Sequence, residues 1–262
     1  MNRSAAANES APGEPDWARR RCALIVGHPG HELVVHAWLQ AARPRVIVLT
    51  DGSGHGNDGR IGSTARVVSE AAAVRGGLFG EHTDRAVYAA LLAHDTGFFL
   101  RTTERIAAEL TRNAIDFVTG DAIEGYNPVH DVCRMMTNAA VRMARRAGRV
   151  VANFDFFLVR PHDQVCTTAG AIVKSLGEDE LRRKLAIARS YPELASEVEK
   201  RIGEPNASAL AVEGFRPADH PNEVDTVFYD TYGRQRVRDG IYSVAVTYEA
   251  HVRPIEELLL RL

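Results

Sequence analysis

Short uninterrupted apolar runs alternate along this chain with segments whose apolar residues recur at helical spacing. Ala23–Val26 is such a run, β-branched at its end, and reads as a strand buried on both faces of a parallel sheet. Glu32–Ala42 then places Leu33, Val34, Ala37, Trp38 and Ala41 on one helical face, and Arg43-Pro44 ends it. Arg45–Leu49 predicts a second buried strand, closed by Thr50-Asp51-Gly52-Ser53-Gly54. The glycine-rich segment His55–Gly62 is a loop long enough to fold over a site. Ser63–Arg75 predicts a helix, with Ile61, Ala65, Val68 and Ala72 in register. This β-α-β-α order is the signature of a doubly wound parallel sheet.

Leu78–Leu100 carries no single period: Val87–Leu92 reads as helix, and Gly97–Leu100 as strand or turn. Glu104–Asn113 predicts a helix and Ile115–Thr119 another buried strand, followed by the polar stretch Gly120–Asp131. A long helix comes next, with Val132, Met135, Met136, Ala139 and Met143 facing the core. Val150–Val159 predicts a strand, and Glu178–Ser190 and Pro192–Ile202 two helices. Val224–Tyr229 predicts a strand, Tyr242–Tyr248 a strand or a helix, and Pro254–Leu262 a final helix. No repeat or linker divides the chain, so residues 21–262 are expected to form one domain behind a flexible tail over residues 1–20.

Composition narrows the function classes. A formal net charge of −2 gives no reason to expect nucleic acid or an anionic membrane as partner. No 18-residue apolar run exists to span a membrane, and Met1–Asp16 lacks the apolar core of a signal peptide. A cytoplasmic protein is the expectation. Cys22, Cys133 and Cys166 show no CxxC spacing; Cys22 and Cys133 read as reduced core thiols.

The chemistry gathers at strand ends. His28 and His31 follow the first strand in Gly27-His28-Pro29-Gly30-His31-Glu32, Asp51 follows the second, and His130 lies beyond Ile115–Thr119. Carboxyl edges of parallel strands are where open α/β sheets bind ligands. Three histidines can hold zinc or iron and leave a coordination position open for water or substrate.

These motifs resemble the PIG-L/LmbE superfamily of zinc-dependent N-deacetylases, which act on N-acetylglucosamine conjugates and related amides. The family's Ala-His-Pro-Asp-Asp-Glu corresponds to Gly27–Glu32, its Thr-Asp-Gly to Thr50–Gly52, and its Glu-Gly-x-His-Pro-Asp-His to Glu124–His130. Arg66 and Glu70, Lys184–Tyr191 and Glu213-Gly214-Phe215 echo later features. The resemblance implies a Rossmann-like α/β sandwich with a mainly parallel central sheet. It also implies a metal held by His28, His31 and His130, with histidine replacing the family's aspartate at position 31.

Two departures follow. The family's general base falls on Gly30, and its proton-handling histidine on Asn127, which can donate a hydrogen bond but cannot shuttle a proton. Glycine there is expected to leave space for water or a substrate group. Glu32, Asp51, Asp131 and Glu124 are candidates for a relocated base, with Asn127 as an oxyanion donor. Arg60, Arg66, Glu124 and Tyr126 are candidate substrate contacts; His55 reads as a surface residue and His162-Asp163 as an outlying acid–base pair. The expected function is hydrolysis of an amide on an amino sugar or glycoconjugate. A ligand-binding relative without catalysis and a three-histidine iron enzyme are the alternatives. The Tyr-rich stretch Phe228–Tyr248 fits a lid or a subunit contact, which leaves a homo-oligomer open.

Overall fold

A computed structural model describes residues 15–54, 58–160, 167–203, 210–219 and 227–262. The predicted apolar runs become β1 (Cys22–Val26), β2 (Arg45–Thr50) and β4 (Phe117–Gly120), with every residue of β1 and β4 buried. With β3 (Val74–His82), β5 (Ala152–Asp155), β6 (Ile172–Ser175) and β7 (Val212–Pro217) they form a seven-stranded sheet of order β3-β2-β1-β4-β5-β7-β6. The first five strands are parallel, and β7 pairs antiparallel with both β5 and β6. The expected α/β sandwich with a mainly parallel central sheet is present.

Alternation along the strands divides the core in two. Ala23, Ile25, Ile47, Leu49 and Val118 face one layer, built with α3 (Asp84–Leu92), α4 (Thr96–Arg112), α5 (Pro128–Arg146) and α9 (Arg253–Leu260). Leu24, Val26, Val46, Val48 and Phe117 face the other, against α1 (His36–Ala42), α2 (Ile61–Glu70) and the end of α6 (Glu178–Arg189). β1 approaches β4 so closely that a Cβ on Gly120 would meet the Ile25 carbonyl oxygen at 1.8 Å; only glycine fits there.

Several expected elements change. Ser63–Arg75 is not one helix: α2 ends at Glu70, and Val74 begins the edge strand β3. Gly97–Leu100 lies inside α4, whose N-cap Asp95 accepts from Phe98 N. Glu32–Ala42 opens with a 3₁₀ turn over His31–Val35, and Pro192–Leu194 forms another before α7 (Ala195–Ile202). Val227 caps a helix, α8 (Phe228–Arg238), where a strand was expected; residues 224–226 lie outside the described residues. A π-helical turn, Tyr248–Val252, leads into α9. Within the stretch expected to be tail, Trp17 is buried and packs at 4.9 Å on Phe117 and 6.0 Å on Trp38; residues 1–14 lie outside the described residues. Cys22 and Cys133 are free and buried. Among the described residues, no helix is long and apolar enough to cross a membrane.

Candidate metal centre

β1 has β2 on one side and β4 on the other, so chain order reverses at the β1/β4 boundary. That is the switch point where a crevice opens beyond the strands' carboxyl ends. His28 and His31 enter it from β1, and His130 from the first turn of α5, whose Pro128 pre-sets the helical φ.

The three imidazoles converge. Ring centroids are 4.6 Å apart for His31 and His130, 4.9 Å for His28 and His130, and 5.4 Å for His28 and His31. Three imidazoles sharing one zinc at ordinary Zn–N lengths have centroids about 5 Å apart. Among the described residues, however, no group of three or more His, Cys, Asp and Glu side chains stands as a ready metal-holding set. The rings have the centroid spacing for an ion, but their donor atoms do not form a closed set as they stand.

Hydrogen bonds assign the tautomers. Thr50 Oγ1 donates to the Gly27 carbonyl, so its lone pair accepts from His28 Nδ1–H at 2.7 Å. Asp84 Oδ1 sits 2.9 Å from the same nitrogen, off the N–H axis. His31 Nδ1–H donates to both Asp121 carboxylate oxygens at 3.0 Å, and Gly27 N–H donates to Oδ2 at 2.7 Å. Both histidines thereby keep an Nε2 lone pair for a ligand. Arg134, itself buried, fixes Asp121 by donating from Nε to its carbonyl at 2.8 Å.

Electrostatics keep two of the imidazoles neutral. Burial, opposed by Asp84 and reinforced by His31, lowers the His28 pKa; burial with the charges of His31, His28 and Arg60 lowers that of His130 much further. Burial alone would raise Asp84, but His28, Thr50 and the Gly54 N–H outweigh it and hold the carboxyl below its usual range.

A cavity of about 700 Å³ opens over the histidines, and Tyr88, Tyr126, Tyr229, Tyr232 and Tyr242 all line it. The segment Ile241–Val246 contributes to its wall, so the Tyr-rich stretch covers this site. Tyr126 stacks on Phe228 at 5.2 Å, and Phe228 on Tyr232 at 5.6 Å. A pocket of about 460 Å³ at the sheet's opposite edge, between Arg19, Arg20 and Asp116, carries no histidine.

The other sequence candidates separate. Arg60, Tyr126 and Asn127 line the cavity; Arg60 Nε donates to the Pro29 carbonyl at 3.1 Å, and Asn127 Oδ1 caps α5 by accepting from Val129 N–H at 2.8 Å. Arg66 points elsewhere and joins α2 to Ser190. Glu124 accepts three backbone N–H groups, of Leu158, Val159 and Arg160. Asp51 closes a turn on Ser53. Asp131 is buried, accepts from Glu124 and Gly125 N–H, and is pushed up to about 7 by burial. Glu32 is fully buried beneath the site, its pKa raised by burial, and accepts from Gly30 N–H at 2.8 Å. The carboxylates of Glu32, Asp51, Asp131 and Glu124 are therefore engaged with backbone or turn, away from the cavity lining. His55 and the pair His162-Asp163 lie outside the described residues.

Gly30 departs furthest from expectation. Its φ is +100°, and a Cβ built on it would lie 2.4 Å from Leu194 Cδ1. The expected space for water is filled by leucine. Asp84 and Asp121 are the site residues that sequence reasoning missed.

Solved structures share this architecture. A40926 pseudoaglycone deacetylase superposes with a TM-score of 0.50 at 17% identity, covering 76% of this chain and 97% of its own. A deacetylase triple mutant of the teicoplanin biosynthetic pathway and a teicoplanin-pathway deacetylase–bog complex each give 0.50 at 14% identity, covering 77% of this chain and all of theirs. This chain has their fold. No family model and no curated protein matches it.

Proposed function

We propose that this protein is a metal-dependent hydrolase that cleaves the amide of an N-acyl amino sugar or a related small molecule. The observation that carries the reading is the convergence of His28, His31 and His130 at the switch point, with Nε2 of the first two freed by Nδ1 bonds. The donor set suits zinc: neutral imidazoles as ligands, and carboxylates behind two of them. His28, His31 and His130 would hold the ion, and Asp84, Thr50 and Asp121 would keep the rings aimed. When bound, zinc polarises a carbonyl and acidifies water.

The remaining residues do the work of binding and orientation. Asn127 spends Oδ1 on the helix cap, which leaves its Nδ2 as a donor toward the cavity for a developing oxyanion. Arg60 keeps its terminal N–H groups for substrate oxygens. The tyrosine rings offer flat faces and hydroxyls suited to a sugar and what it is attached to. Similar fold to solved deacetylases supports the class of reaction by analogy only.

The alternative, a relative that binds without cleaving, draws on Leu194 filling the space beside Gly30. Elemental mass spectrometry of the purified protein, beside His130→Ala, with acetate release from N-acetylglucosamine conjugates, separates the two. Zinc near one per chain, lost in the variant, with acetate released by the wild type, is the expected result. Metal bound without any acetate release favours the binding relative, and no metal after supplementation refutes the three-histidine site.

A further inference from the structure

Amide hydrolysis needs a group that takes a proton from water and returns it to the leaving nitrogen, and Gly30 cannot supply one. The segment that fills its place brings a substitute. Tyr191 anchors that segment: it is buried, and its hydroxyl bonds Thr64 Oγ1 at 2.9 Å and the Arg60 carbonyl at 3.2 Å. Ser63 Oγ donates to Glu193 at 2.8 Å. Leu194 then reaches Gly30, and Glu197, three residues further and one turn along, lines the cavity with His28, His31 and His130. Asp84 and Glu197 are the carboxylates of that lining. Asp84 is committed to His28 and Gly54 N–H, whereas Glu197 makes no hydrogen bond or ion pair with another described side chain.

We propose that Glu197 is the proton acceptor of the hydrolysis, an inference that rests on the metal-hydrolase reading above. As a carboxylate it takes one proton from water while the water oxygen bonds to the amide carbon. As a carboxylic acid it returns that proton to the nitrogen as the C–N bond breaks, leaving a free acid, an amine and the carboxylate restored. The segment that removes the space for a carboxylate at Gly30 thus supplies another from the cavity wall.

The test uses the full chain loaded with cobalt(II), comparing wild type, Glu197→Gln and Glu197→Asp. A carboxylate in the wall of the same cavity favours positive charge on the cation, so if Glu197 reaches the bound water its removal lowers the pH midpoint of the cobalt absorption band by about one unit. Glu197→Gln is expected to bind cobalt as tightly as wild type and to show that shift. It should lose a factor of about 10²–10⁴ in kcat at unchanged KM, with partial recovery in Glu197→Asp. Cobalt bound with an unshifted midpoint overturns the role of Glu197 and leaves the metal site standing. A wild type that takes up no cobalt overturns the metal reading and this proposal with it.

Discussion

Putting a side chain at position 30 is expected to damage the protein. Consider Gly30→Ala, the smallest such change. At φ +100° an L-residue costs about 1–3 kcal/mol, because Cβ meets the backbone. The new Cβ also stands 2.4 Å from Leu194 Cδ1, with Tyr191 Cζ at 3.9 Å behind it. Leu194 must swing away, and overpacking of this kind costs about 1–3 kcal/mol more. The sum is a destabilisation of about 2–6 kcal/mol. Urea unfolding followed through the buried Trp17 and Trp38 reads it directly. With a urea slope of about 2–3 kcal/mol/M, the midpoint should fall by about 1 M or more. Leu194→Ala in the same chain removes the collision but not the backbone strain, so the double-mutant cycle should give a coupling of about 0.5–3 kcal/mol. A Gly30→Ala midpoint equal to wild type would refute both the backbone conformation and the leucine plug. For the same reasons, Gly30→Asp should bring no gain in activity, although it installs the aspartate of the motif that Gly27–Glu32 resembles.

Asp121→Asn keeps the volume but removes the carboxylate that His31 and Gly27 share. Zinc affinity, measured by isothermal titration, should fall about 10–100-fold with the circular dichroism spectrum unchanged; undiminished affinity would detach Asp121 from the site. Lys184→Met strands Glu213, whose carboxylate accepts from Ala37 and Trp38 N–H at the start of α1 and pairs with Lys184 at 3.0 Å. A buried charge left without its partner should cost about 3–5 kcal/mol, and an unchanged melting temperature would contradict that. Burial pushes Cys22 up to about 12 and Cys133 up as well, so at pH 8 both remain protonated thiols. Peptide mapping after iodoacetamide should find them unlabelled in the native protein and labelled in urea; native labelling would show that the core opens there.

How legible each part was depends on what held it in place. β1, β2 and β4 are buried on both faces, so their residues are apolar without a break and visible in the sequence. β3 is an edge strand with three glycines, and Leu78 is its buried residue. Pairing with β2 and the grip of Glu109 on Gly77 N–H hold it, and neither leaves an apolar pattern. β6 and β7 are short, and β7 is tied by the Glu213 carboxylate to α1 across 175 residues. The loss propagated to the site. Asp84 opens α3 directly after β3, so misreading Leu78–Leu100 hid the carboxylate beside His28. Asp121 could have been found: it directly follows β4, the same strand-end position that singled out His28 and Asp51. Leu194 could not, because its contact with Gly30 spans 164 residues and a helical pattern gives no hint of it.

The groups of this centre are connected by charge. Three histidines would give a bound cation no negative charge among its ligands. Asp121, fully buried, and Asp84, nearly so, lie behind two of the rings and place negative charge one imidazole away from where an ion would sit. Buried carboxylates cost several kcal/mol unless charge or hydrogen bonds compensate them. His31 and Gly27 N–H donate to Asp121, Gly54 N–H donates to Asp84, and a cation shared by the rings would add to this compensation. Asp84 is already held below its usual carboxylate range without an ion, so its charge favours the fold at neutral pH even in the metal-free chain. A cation on the rings would add to that. Asp84→Asn and Asp121→Asn should therefore lower the melting temperature more in the zinc-loaded chain than in the metal-free chain. Equal effects with and without zinc would mean that the carboxylates serve the fold alone.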